Sequence, residues 1–175
     1  MPDTSKLAQF EEIVLPHLNA AHNLARWLMR NEHDAEDVVQ EAYLRAFRFF
    51  DGFHGGDGRA WLLAIVRNTC RTSLQAHARE HVAEFDEEQH SLRKPSSSPE
   101  ERMLRQAGID SVRSCIEELP AEFREVIVMR ELEELSYKEI SEAASVPLGT
   151  VMSRLARARA RLQDCISVRT KGARA

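Results

Sequence analysis

The chain has 175 residues, 43% of them hydrophobic and 30% charged, with a formal net charge of −4. This is the composition of a globular protein of one domain or two small ones; no apolar run is long enough to cross a membrane, and no signal peptide is seen. A protein that held DNA unaided would be basic, because phosphate neutralisation supplies most of the affinity, so any nucleic-acid role here calls for a larger partner. Three cysteines, Cys70, Cys115 and Cys165, are too few and too scattered for a disulfide framework, and none forms a C-x-x-C pair. They are expected to be reduced, in a cytoplasmic setting.

Apolar spacing is helical nearly everywhere and no run reads as a strand, so the fold class is all-α. Leu7, Phe10, Val14 and Leu18 fit one helix, which Pro16 kinks or ends early. Leu24, Trp27 and Leu28 resume the pattern. Asn31-Glu32-His33-Asp34 is a turn and helix start, with acids where the helix dipole favours them. The helix from about Ala35 to Phe50 carries Val39, Tyr43, Ala46 and Phe50 on its inner stripe. Asp37, Gln40 and Glu41 lie on its other side, and spacing alone reads them as a solvated acidic face.

Residues 51–59, DGFHGGDGR, hold four glycines in nine positions and form a loop. The spacing matches no phosphate-binding loop. Phe53 and His54 offer rings for base stacking, and Phe53 can equally pin the loop to the core. Residues 60–79 form a helix made basic by Arg67, Arg71 and Arg79. Trp61, Ile65, Asn68 and Thr72 share one of its stripes. Asn68 there either caps or bridges helices, or reads a base edge.

From about Val82 to Pro99 the chain turns acidic and then Ser/Pro-rich, an exposed linker whose roughly eighteen residues span up to about 60 Å when extended. It separates a first domain over 1–81 from a second over 100–168, with a short basic tail at 169–175. Ile116, Leu119, Phe123 and Val126 or Ile127 supply the second core, and Pro120 sits in the first turn of a helix. Ser136 and Glu139 make a capping box. Ile140, Ala143 and Ala144 form a small apolar face, and Pro147 closes a break after Ala144. A second helix starts near Leu148. Val151, Leu155, Ala158 and Leu162 share its buried face, while Thr150, Arg154, Arg157 and Arg161 form a polar, cationic stripe beside it. A capped helix, a proline turn and a helix with segregated stripes make a helix-turn-helix, whose arginines suit guanine edges and phosphates.

Four stretches carry a resemblance to a known family: DAEDVVQEAYLRAFRFFDGF (34–53), RAWLLAIVRNTCRTSL (59–74), LPAEFREVIVMRELEELSYKEISEAASVPLGTVMSRLARARARL (119–162) and the acidic linker between them. The chain resembles bacterial RNA polymerase sigma factors of the extracytoplasmic-function (ECF) class over about residues 10 to 165. The resemblance implies two small helical domains, sigma region 2 and sigma region 4, joined by a flexible linker that threads toward the polymerase active centre. It implies a non-enzymatic initiation factor without cofactor or metal. Its partners would be core RNA polymerase, through the β′ coiled coil and the β subunit, promoter DNA, and an anti-sigma factor.

By the same resemblance, the D-x-x-Q-E residues Asp37, Gln40 and Glu41 dock on β′. Phe53, Trp61 and Asn68 receive a flipped base of the −10 element, with Arg67 and Arg71 on the backbone. Thr150, Ser153, Arg154 and Arg157 read the −35 element, with Lys138 at a phosphate and Arg161 on the same cationic stripe. Met152 and Ala156 stand where some members place an arginine and a bulky residue, so promoter preference does not carry over. Two other readings remain at this stage. One is a helix-turn-helix regulator that never joins polymerase, which leaves residues 34–79 unexplained. The other is a metal or redox sensor built on His77 and His81, or on the three cysteines.

Overall fold

The computed structural model describes residues 4–80 and 99–172. Eight α-helices account for most of them, and no strand occurs among the described residues. The linker expected at 82–99 falls outside these segments but for its last residue, as do residues 173–175 of the expected basic tail; residues 169–172 of that tail belong instead to the last helix. His81, half of the histidine pair considered above, also lies outside the described residues.

Helix α1 (Thr4–Ile13) ends just before a 3₁₀ turn, Leu15–His17, that contains Pro16. The proline lacks the N–H a continuing helix would need, so the chain re-enters a helix only at α2 (Leu18–Met29). Arg30 closes α2 in the left-handed region at φ 60°, its N–H bonded to the Arg26 carbonyl. Asn31 then opens α3 (Glu32–Arg48), its side-chain oxygen accepting the Asp34 N–H at 3.1 Å. After the glycine loop, the Asp57 carboxylate accepts the N–H groups of Arg59 and Ala60 at the start of α4 (Gly58–Glu80).

Helices α2, α3 and α4 pack on one another around Leu24, Leu28, Val38, Val39, Leu62, Leu63 and Val66. Phe10 anchors α1 to this bundle. Its ring meets Phe47, Phe50 and Tyr43 edge-on at 5.2, 5.4 and 6.3 Å.

The second half comprises α5 (Pro99–Glu117), α6 (Ala121–Ile127), α7 (Tyr137–Ala144) and α8 (Leu148–Gly172). Pro120 is the N-cap of α6, with extended backbone at ψ 146°, rather than a first-turn residue. From Val128 to Leu132 the chain widens into a π-helical turn that the apolar spacing did not signal. The Leu135 N–H returns to the Met129 carbonyl, and the Arg130 guanidinium donates to the Leu135 carbonyl. These bonds fix the approach to α7. Ser136 and Glu139 form the expected reciprocal cap, at 3.1 and 2.7 Å. Ser145 makes the turn in the left-handed region at φ 54°. Val151, Leu155 and Ala158 of α8 are buried as their spacing requires, and Leu162 packs half-buried beside them.

The cysteines depart from expectation. Cys115 near the end of α5 and Cys165 in α8 form a disulfide across 50 residues of sequence, with Cα atoms 5.9 Å apart. Spacing could not reveal it, because the pair belongs to two helices brought together only by the packing of α5 on α8. Cys70 stays a free, buried thiol, and burial pushes its pKa up to about 12.

The two halves are also in contact. Helix α4 packs along α7, and α2 meets α6. Arg113 of α5 lies 5.9 Å from the ring centre of Trp27 on α2.

Candidate polymerase- and DNA-binding surfaces

Asp37, Gln40 and Glu41 are all exposed on α3. The cap at Asn31 and the buried stripe of Val38, Val39, Ala42 and Ala46 turn these three outward. Glu41 accepts from Arg45 at 2.8 Å, and Asp37 lies 3.6 Å from His33. Neither contact buries its carboxylate. Leu44 continues this face one turn further and is 64% exposed. An open leucine beside three polar groups is a signal that the helical pattern did not single out; it could have been found as an apolar residue on the wrong side of an otherwise regular stripe.

The glycine loop passes through Gly55 and Gly56, at φ 89° and 97°. Phe53 does pin the loop. Its ring stacks on Phe50 at 5.9 Å and sits 5.2 Å from Trp61. It stays half-buried and lines an open cleft with Ser5, Lys6, Gln9, Ile13, Phe50, Asp51 and Gly55. Lys6 pairs with Asp51 at 2.7 Å and lies 5.3 Å from the centre of the Phe47 ring, which puts a cation on the cleft wall. Trp61 is half-buried beside Phe53, while Asn68 and Arg71 are exposed further along α4. Among the described residues Asn68 bridges no other helix; its side-chain oxygen accepts from the neighbouring Arg67, at 3.3 Å.

Arg67 does not join this surface. It is 3% exposed, and its guanidinium donates to both carboxylate oxygens of Glu125 on α6, at 2.9 and 2.8 Å. Nearby, Arg59 pairs with Glu133 at 2.7 Å and also donates to its backbone carbonyl, and Asn23 of α2 donates to the same carboxylate.

On the helix-turn-helix, Lys138, Ser153, Arg157 and Arg161 are exposed, and Thr150 and Arg154 are half-buried. Ser153 donates to the Thr150 carbonyl. Arg154 leans toward α6, 3.7 Å from Glu122 and 3.8 Å from Glu125. Arg161 lies 5.1 Å from the centre of the Phe123 ring. The cationic stripe is therefore divided. Arg157 faces out, while its neighbours one turn either side rest against α6.

Two family models match, Sigma-70 region 2 at residues 13–80 and Sigma-70, region 4, at residues 109–162. The chain is 35% identical over 159 residues to the RNA polymerase sigma-H factor of Pseudomonas aeruginosa, spanning 86% of this chain and 82% of that one. The chain belongs to the ECF sigma factor family. It is also 38% identical over 134 residues to the ECF RNA polymerase sigma-E factor of Escherichia coli, across 72% of this chain and 70% of that protein. With the ECF RNA polymerase sigma factor SigE of Mycolicibacterium smegmatis it shares 32% identity over 94% of its own length, but spans only 64% of that relative.

Among solved structures, the Bartonella quintana sigma factor RpoE, crystallised with the anti-sigma factor NepR, superposes with a TM-score of 0.75 at 27% identity. The match covers 91% of this chain and 98% of that one. Region 2 of this sigma factor is thus the bundle of α2, α3 and α4, and region 4 holds the helix-turn-helix of α7 and α8. The region 2 match accounts for the stretch that a free-standing helix-turn-helix regulator left unexplained. No described helix is long and apolar enough to cross a membrane.

Proposed function

We propose that this sigma factor binds core RNA polymerase through the outer face of α3, directs it to a subset of promoters and helps open the −10 duplex, in the cytoplasm and without catalysis of its own. The observation that carries the docking role is the open face of Asp37, Gln40, Glu41 and Leu44. Ion pairs on exposed surfaces contribute little alone, whereas an apolar residue set among them adds area that a partner can bury.

The cleft beside Phe53 supports the second role. Its aromatic wall, the Lys6 cation and the nearby Trp61 suit an unstacked base and its phosphate. Base–aromatic contact is worth about 1–3 kcal/mol, of the order of the unstacking cost. Asn68 and Arg71 extend that surface along α4. Thr150, Ser153, Arg154, Arg157 and Arg161, with Lys138 on α7, would read or hold the −35 duplex. Control by an anti-sigma factor is supported by the solved RpoE–NepR relative, which is bound to one.

Co-elution with core polymerase on a sizing column tests the central claim. Wild type is expected in the polymerase peak. An Asp37→Lys, Glu41→Lys double variant is expected to stay free. Wild type that stays free, in a preparation without anti-sigma factor, refutes the reading.

A further inference from the structure

The recognition helix opens without a charge. Its start, Leu148 to Ser153, reads LGTVMS. Val151 is buried, Thr150 is half-buried, and the Ser153 hydroxyl donates to the Thr150 carbonyl at 3.1 Å. Arg154, the first cation of α8, leans back toward Glu122 and Glu125 of α6. What α8 presents outward at its start is therefore apolar. Leu148 is 48% exposed, and Met152, one turn further, is 52% exposed. Ala156 continues the row by another turn and is also exposed. Arg157 is the first cation of α8 that faces solvent.

At about 100° per residue, Met152 and Arg157 stand about 140° apart around the helix axis, with Gly149, Ser153 and Ala156 between them. One edge of the outer face is thus apolar and the other cationic. The packing of α8 on its neighbours already uses Val151, Leu155 and Ala158, so neither Leu148 nor Met152 is needed for the core. Gly149 points the same way. A Cβ added there would meet nothing within 4 Å, so packing within the chain does not call for glycine. Close approach of another surface to the backbone does.

We infer that Met152, with Leu148 beside it, selects thymine in the −35 duplex by contact with the C5-methyl group. The inference rests on the reading of α8 as the −35 helix and gives that helix its base preference. A helix-turn-helix brings the N-terminal residues of its second helix to the base edges of the major groove. Guanine, cytosine and adenine offer hydrogen-bonding groups there, and thymine alone adds a methyl. Neither a leucine nor a methionine side chain can donate a hydrogen bond to a base edge, whereas both can cover a methyl. Arg157, on the other edge of the face, and Lys138 of α7, both exposed, supply the cations that hold the helix on the duplex.

The test uses the full chain assembled with core polymerase, because a chain of net charge −4 holds DNA weakly by itself. A random-sequence duplex pool is selected for binding. The motif that belongs to α8 is the one that an Arg157→Ala variant fails to enrich. Duplexes carrying this motif are then made with thymine, or with deoxyuridine in its place, which lacks only the C5-methyl. At one or two positions, on either strand, wild type is expected to bind the deoxyuridine duplex about fourfold more weakly, the factor that burial of one methyl group supplies. A Leu148→Ala, Met152→Ala variant is expected to bind both duplexes alike, and no better than wild type binds the deoxyuridine form. A motif without thymine on either strand, equal wild-type affinity for the two duplexes, or a deoxyuridine penalty that persists in the variant overturns the inference. In those cases the −35 reading stands, since Arg157 still defined the motif. If Arg157→Ala loses no motif, the reading of α8 as the −35 helix fails, and the thymine assignment falls with it.

Discussion

Reducing the Cys115–Cys165 disulfide is the perturbation with the largest expected effect on stability. The bond closes 50 residues of chain, from the end of α5 through α6 and α7 into α8. In the chain-entropy treatment a loop of that length lowers the entropy of the unfolded state by about 14 cal/mol/K, or roughly 4 kcal/mol at 25 °C. Among the described residues few other long-range ties hold this end of α5 to α8: Glu118, just after the helix, pairs with Arg169, and Cys115 and Ile116 in its last turn and Leu119 beyond it are buried. Met103, Leu104 and Ile109, nearer its start, are exposed. Loss of the cross-link should therefore be felt almost in full. The assay is urea denaturation followed by far-ultraviolet circular dichroism, with and without a dithiol reductant. Reductant is expected to lower the stability of wild type by about 4 kcal/mol. It should leave a Cys165→Ser variant unchanged, at the stability of reduced wild type. A shift below about 1 kcal/mol in wild type, or an equal shift in the variant, would refute the reasoning.

Gly58→Ala should destabilise region 2 by about 1–3 kcal/mol in thermal unfolding: the added Cβ would lie 2.6 Å from the Ile13 Cγ2 and 2.9 Å from its carbonyl oxygen, and a backbone atom cannot swing aside. Ser136→Ala removes the reciprocal cap of α7 and should cost about 1 kcal/mol, read as a drop of a few degrees in the melting temperature. Leu44→Asp should leave that temperature unchanged, since the side chain is largely exposed, yet weaken co-elution with core polymerase at least as much as a single acidic-face substitution. Burial raises the Cys70 thiol from an ordinary 9.0 to about 12. Its folded form therefore prefers the neutral thiol, and the stability this contributes is complete below pH 9 and lost as pH climbs toward 12. The same group should resist a thiol reagent at pH 8 in the native protein and react once urea unfolds it.

Local chemistry made much of this fold legible. Proline cannot donate the hydrogen bond that would have joined α1 to α2, so the break at Pro16 follows from one residue. The caps at Asn31 and Ser136 and the buried face of α8 depend on neighbours within a few positions, and periodicity records such neighbours directly. The outward placement of Asp37, Gln40 and Glu41 follows in the same way, as the complement of a buried stripe. Other features had no such local trace. Phe53 had two open roles, and only the positions of Phe50 and Trp61 decided that it pins the loop. Arg67 looked equivalent to Arg71, because a helical stripe says which way a side chain leaves its own helix but not what waits there. Glu125, 58 positions along the chain, decides it. The pairing of Cys115 with Cys165 is of the same kind. The sequence by itself determined where helices begin, end and turn their apolar faces, because those choices are settled by backbone hydrogen bonding and burial over one or two turns. Only the tertiary structure decided which arginines remain available and which cysteines meet, because those depend on how α4 lies along α7 and α5 along α8, contacts between residues that no short-range pattern connects.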